Sequence, residues 1–247
     1  MSFVNYVPNS IAVFEISCIE VKTIIYSLKN SSAGWDEFPT CVGKKCIDSF
    51  ATPLTYLINK SFSEGIFPSE LKLARVVPIF KAGDPTQITN YRPISVLTLF
   101  SKVFEKIMYN HVLDFMDKNN LFYEHQYGFR QRHSTQHAII TLVDRITHSL
   151  DNGDIVISVF LDLKKAFDTV DHHILLRKLF AYGIRGNSFK WFQSYLSNRS
   201  QYVMYDNQKS KTQYINCGVP QGSILGPLLF IIYMNDICNV SNLLYIP

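Results

Sequence analysis

Asp162 directly follows the apolar run VISVFL. A carboxylate delivered there needs an explanation, because burying one is costly unless it is paired or bound to metal. Two readings fit: an acid presented at the end of a strand for chemistry, or an acid at the strand's exit that caps the next turn. Asp168 and Asp171, three apart in AFDTVDHH, suit a helix start, where acids satisfy free N–H groups and oppose the helix dipole. A hydrolytic centre built from Asp162 with His172 and His173 is disfavoured, since neighbouring residues point apart on a helix or strand. Lys81 and Arg92 bracket a loop in PIFKAGDPTQITNYRPIS. Two cations on adjacent strands can grip a triphosphate, the arginine in bidentate fashion. GVPQGSILGP sets Gly218, Pro220, Gly222 and Gly226 around Gln221. Its backbone could approach a flat ligand while one amide donates and accepts, or it could be a tight turn with an incidental glutamine. From Arg177 to Lys211 seven basic residues (Arg177, Lys178, Arg185, Lys190, Arg199, Lys209, Lys211) face the single acid Asp206. That stretch is either a phosphate-facing surface or a solvated basic face.

Several elements must hold these residues. Residues 20–29 and 44–64 read as helices, the second interrupted at Pro53, which can start a new helix, and stopped near Gly65 and Pro68. ARVVPIF (74–80) and YRPISVL (91–97) are β-branched runs around a polar connection, which gives strand, loop, strand. Helical spacing of apolar residues runs from Phe100 to Met116 and again from Ala138 to Ile146. IVISVFLDL, rich in Val and Ile, reads as a strand buried on both faces that carries Asp162 at its end. Helices are expected over 171–182 and 187–196. SQYVMYD and KTQYINC form a hairpin, and PQGSILGPLLFIIYMNDI is a loop entering an apolar helix.

Composition bounds the class. Hydrophobic residues are 47% of the 247 and charged residues 18%, with 18 Phe and 14 Tyr, which excludes an intrinsically disordered chain. A net charge of +4 is too mild to name a nucleic-acid partner by itself. Five cysteines, odd in number and without a CxxC pair, point to a reducing, intracellular setting. MSFVNYVPNS carries no secretory pattern. The longest apolar run, Ile224 to Met234, is broken by Gly226 and Pro227 and falls short of the ~18 residues a membrane span needs. Neither a repeat nor a long linker divides the chain.

Taken in order, NYRPIS, QYGFRQRHST, FLDLKKAFDTVDH and GVPQGSILGPLLFIIYMNDI are similar to the reverse transcriptases of non-LTR (LINE-type, jockey-like) retrotransposons, a likeness running from about Ser31 to Asp236. The resemblance implies an α+β fold: right-hand polymerase fingers plus a partial palm, an antiparallel sheet with packed helices, and no thumb. Residues 1–60 would be an N-terminal fingers extension and 61–247 the reverse transcriptase domain. Asp162 would be the first metal-binding aspartate, joined by the carbonyl of Leu163. Ala166 and Phe167 would contact the nucleotide, Phe167 as the gate against a 2′-hydroxyl. Lys81 and Arg92 would grip the triphosphate, and Gln221 and Gly222 would pack on the incoming nucleotide. Gly128, Phe129 and Arg130 would lie along the template path.

The implied partners are an RNA template, a DNA primer and dNTPs, and the implied cofactor is Mg²⁺ in two-metal phosphoryl transfer. The aromatic-Ala-Asp-Asp motif that supplies further carboxylates in the family does not occur here; the sequence reads NVSNLLYIP after the NDI helix. A truncated polymerase inactive alone is therefore expected. The alternative is a non-catalytic RNA-binding module using the basic 177–211 stretch.

Overall fold

The structure, a computed structural model, describes residues 6–130 and 132–240. Helix α1 (Cys18–Ser27) starts at a capping box: the Ser17 hydroxyl accepts from the Glu20 N–H, and the Glu20 carboxylate accepts from the Ser17 N–H. That contact holds the Glu20 carboxyl below its usual range. Helices α2 (Thr40–Lys45) and α3 (Ile47–Glu64) follow. The break falls at Cys46, not at the expected Pro53, which lies inside α3. Gly65, at φ +71°, ends α3 in the left-handed conformation that glycine adopts without strain.

Strands β1 (Leu73–Phe80) and β2 (Tyr91–Val96) form an antiparallel hairpin, with Arg75 opposite Val96 and Phe80 opposite Tyr91. Helix α4 (Leu99–Lys118), capped by Thr98, runs through the core, and α5 (Thr135–Asp151) is capped by Ser134. Helices α6 (His172–Ala181) and α7 (Gly186–Leu196) lie within a residue of their expected bounds. Strand β3 (Arg199–Tyr205) turns at Asp206 and Asn207, both at positive φ as a two-residue hairpin turn requires, into the short β4 (Gln208–Lys209). β5 (Gln213–Ile215) then pairs with the start of β3. Helix α8 (Leu225–Met234) follows the glycine-rich loop.

The sheet is mixed, not antiparallel throughout. β3 lies parallel to β1, with Leu73 opposite Ser200 and Val76 opposite Val203. The many helical residues between the two strands supply the long crossover that a parallel pair requires. One apolar core takes Val21, Ile58, Met108, Leu179, Trp191 and Leu229 from six helices. At its centre Trp191 stacks on Tyr195 (5.5 Å) while Phe67 meets both rings edge-on at 5.2 and 5.1 Å. Trp191 Nε1 also donates to Ser61 Oγ at 3.0 Å, which joins α7 to α3.

The largest departure concerns IVISVFLDL. Residues 154–163 form no strand, and Ile155 and Phe160 are 92% and 84% exposed. β-propensity reports the fit of a side chain to a flanking sheet, and among the described residues no strand pairs with this segment. Helix α5, immediately before it, forms as its spacing predicts yet buries none of its residues. The stretch from Thr135 to Leu163 therefore stands apart from the core. No described helix is long and apolar enough to cross a membrane.

Candidate functional site

The β1–β2 hairpin carries the two expected triphosphate cations. Arg92 is in register with Ile79, and Lys81 N–H donates to the Asn90 carbonyl at 2.9 Å, which extends the register by one more pair. Side chains alternate along a strand and match across an antiparallel pair, so Lys81 and Arg92 share one face of the ribbon, and both are exposed. The connection between them is held by its own hydrogen bonds. Asp84 accepts from the N–H and hydroxyl of Thr86 (2.9 and 2.7 Å), which hold its carboxyl below its usual range. Tyr91 Oη donates to the Pro85 carbonyl at 2.9 Å.

The loop from Gly218 to Gly222 joins this hairpin to the turn that bears Phe167. On one side Ser95 N–H of β2 donates to the Gln221 carbonyl at 2.7 Å. A Cβ on Gly222, at φ +113°, would sit 2.6 Å from the Ser95 carbonyl oxygen, so this approach needs glycine. On the other side Val219 N–H donates to the Phe167 carbonyl and Gly218 N–H to the Val170 carbonyl, each at 2.8 Å. Gly218 sits against the Asp168 backbone, where a Cβ would lie 2.8 Å from the Asp168 carbonyl oxygen. Gln221 Nε2 donates to Asp168 Oδ1 at 2.9 Å. Asp171 caps α6 as expected, accepting from Ile174 N–H at 2.9 Å. Asp168 does not cap; it receives the Gln221 amide. His172 Nε2 lies 2.7 Å from the Gly218 carbonyl, to which it donates, so that ring is committed to the same loop.

Phe167 is half-buried. It stacks on Phe230 of α8 at 5.0 Å and meets Phe129 edge-on at 6.0 Å. Gly128 accepts from the buried Gln126 Nε2 at 3.0 Å. Arg130 turns inward: it pairs with Asp117 at 3.6 Å, donates to the Tyr123 carbonyl at 3.4 Å and lies 5.0 Å over the Phe122 ring. With Leu113, Arg132 and His133 it lines a cavity of about 360 Å³.

Asp162 and Leu163 lie in the exposed, unpaired segment, and Ala166 is half-buried in the turn after it. Mg²⁺ takes about six oxygens in near-octahedral array. Among the described residues no group of three or more His, Cys, Asp or Glu could hold a metal.

The structure also shows buried polar contacts that the sequence patterns did not reveal. Glu105, in the apolar-spaced α4, is fully buried. It accepts from Tyr195 Oη at 2.9 Å and from Ile224 N–H at 2.7 Å, and so satisfies the free N–H end of α8. Burial raises its carboxyl above the ordinary range, opposed by nearby Arg199 and by these donors, and burial also raises the Tyr195 phenol. Lys178 pairs with buried Asp236, and Asn235 ties Tyr182, Leu121 and Tyr123 together. Of the seven basic residues between 177 and 211, Lys178 and Arg199 are buried. Arg185 is spent on the carbonyls of Val7, Pro8 and Asn9 and on the Tyr6 ring. The charge run is therefore not one surface; the NDI motif and the core take part of it.

A family model described as reverse transcriptase (RNA-dependent DNA polymerase) matches residues 79–243. The chain is 33% identical over 233 residues to a probable RNA-directed DNA polymerase from transposon BS of Drosophila melanogaster, covering 90% of this chain and 25% of that protein. It is 32% identical over 220 residues to the probable polymerase of the X-element of the same fly, covering 89% of this chain and 24% of that protein. To the RNA-directed DNA polymerase from mobile element jockey it is 31% identical over 232 residues, covering 92% and 25%. The chain thus spans about a quarter of the length of these relatives.

Proposed function

We propose, because the chain belongs to the reverse transcriptase family of non-LTR retrotransposons, that it is the nucleotide-receiving part of an RNA-directed DNA polymerase, made of fingers and part of a palm. Residues 1–60 are its N-terminal extension and 61–247 belong to the polymerase domain. The observation that carries this reading is the Gly218–Gly222 loop. It bonds on one side to the strand bearing Arg92 and on the other to the turn bearing Phe167 and Asp168.

In this reading Lys81 and Arg92, on one face of the ribbon, take the triphosphate. Gln221 and Gly222 offer backbone and amide to the base and sugar, and the Phe167 ring lies beneath the sugar. Gly128, Phe129 and Arg130 border the path of the RNA template, and the DNA primer ends near Asp162. The family is generally dependent on divalent metal, which supplies charge stabilisation to phosphoryl transfer. In this reading this chain's own part is to bind and orient the nucleotide. The alternative, an RNA-binding module acting through residues 177–211, is weakened by Lys178, Arg185 and Arg199, which are turned to structural work.

The test is nucleotide binding by this chain, with dGTP as probe and tripolyphosphate as competitor. Binding that tripolyphosphate displaces and that Arg92→Ala weakens about tenfold, as loss of a charge-assisted contact implies, supports the reading. Binding untouched by both overturns it.

A further inference from the structure

Phe167 does not hold its ring by itself. Its carbonyl is fixed by Val219 N–H at 2.8 Å, but a backbone bond leaves the side-chain rotamer open. Two other rings close that freedom. Phe230, on α8, lies 5.0 Å away at an interplanar angle of 30° and covers one face. Phe129 approaches at 6.0 Å with its ring plane at 89° to that of Phe167. Phe129 is also 61% exposed and stands at φ +57°. A bulky residue rarely adopts that conformation, and exposure of this order means that core packing does not demand it. The one ring contact of Phe129 in the described structure is to Phe167.

We propose that Phe129 and Phe230 are positioning residues for sugar selection, holding the Phe167 ring where it excludes a 2′-hydroxyl. The inference rests on the reading that Phe167 lies under the sugar, and it gives Phe129 a role distinct from contact with the template. A ring free to change rotamer yields to the extra hydroxyl, whereas a ring wedged between two others does not. Discrimination by crowding therefore depends on all three rings and not on Phe167 alone.

The test is saturation-transfer NMR on this chain with dGTP and GTP as probes, read as the ratio of their dissociation constants. The wild-type chain is expected to prefer dGTP about tenfold, the scale of a mild steric penalty. Phe167→Ala should bring the ratio near one; if it does not, the sugar assignment falls and the proposal with it. Phe129→Gly and Phe230→Leu should also lower the ratio at least about threefold, and Phe230→Tyr, which keeps a ring, should restore it. Glycine accepts the backbone conformation of Phe129, so Phe129→Gly should melt no lower than wild type. A loss of selectivity in that variant is then not a folding defect, and it keeps the test open if Phe230→Leu folds poorly. A ratio abolished by Phe167→Ala but untouched by Phe129→Gly and Phe230→Leu would overturn the positioning role while leaving the site itself in place.

Discussion

Gln221 donates its side-chain amide to the Asp168 carboxylate at 2.9 Å, across 53 positions of sequence. The bond fixes which end of the amide faces outward: with Nε2 held by Asp168, Oε1 is left as the acceptor. Asp168→Asn leaves an amide opposite an amide, and Gln221 can then sit either way round. The expected outcome is dGTP binding weakened about threefold to tenfold, with stability reduced by about 1–2 kcal/mol, the worth of a hydrogen bond to a half-buried charged group. Denaturant midpoints and dGTP titration of the variant check both. Unchanged binding would show that the orientation of Gln221 is irrelevant to the site.

Asp171, three residues on, has a different task and should behave differently. Asp171→Ala removes the N-cap of α6 and should cost about 1 kcal/mol of stability, while leaving dGTP affinity within about twofold. Thermal melting and titration of the two variants side by side separate the roles of these acids. Equal effects on binding would refute the distinction.

Glu105 makes stability depend on pH. Its carboxyl is held above its ordinary value by burial in the folded chain, so the folded state keeps the proton to higher pH than the unfolded state does. The stability it contributes is fully present below the unfolded value, near 4.5, and is lost as pH rises through the raised folded value. Urea midpoints measured from pH 4.5 upward should fall more steeply for the wild type than for Glu105→Gln, which cannot titrate. Parallel curves would mean that Glu105 does not govern this slope.

Residues 155–163 expose Ile155, Ile157, Val159, Phe160 and Leu161 to solvent, with no charge between Ile155 and Leu161. Amide exchange should be fast across this segment and slow across 100–116, where Val103, Ile107, Met108 and Val112 are fully buried. An unpaired apolar run of this kind templates association. Phe160→Lys should therefore slow aggregation while changing stability by no more than about 0.5 kcal/mol, as for a surface substitution. Equal exchange in the two segments would contradict the structural account of 155–163.

The elements that carry the candidate site could largely be read in the sequence because they are local. The spacing from Phe100 to Met116 became α4, KAGDPTQITN became the hydrogen-bonded connection between Lys81 and Arg92, and the glycines around Gln221 mark a loop whose backbone makes close approaches. What could not be read depends on distant partners. Glu105 looks like a surface residue between apolar neighbours until Tyr195 and Ile224 converge on it. Lys178, Arg185 and Arg199 look like a charge patch until Asp236, the N-terminal carbonyls and the core claim them. The parallel pairing of β1 with β3 joins strands separated by most of the helices, and no local pattern encodes it. The run from Ile155 to Leu163 has the composition of a buried strand, and composition cannot supply the neighbouring strands that would make it one.

The central claim is that hairpin, loop and turn form one nucleotide site, and amide chemical-shift mapping of ¹⁵N-labelled chain during titration with dGTP tests it most directly. The account predicts that Lys81, Arg92, Phe167, Gln221 and Gly222 shift together along one binding curve, and that Arg92→Ala weakens the response at all five positions. Shifts confined to the hairpin, or centred on residues 177–211 with Gln221 and Phe167 unmoved, would contradict it.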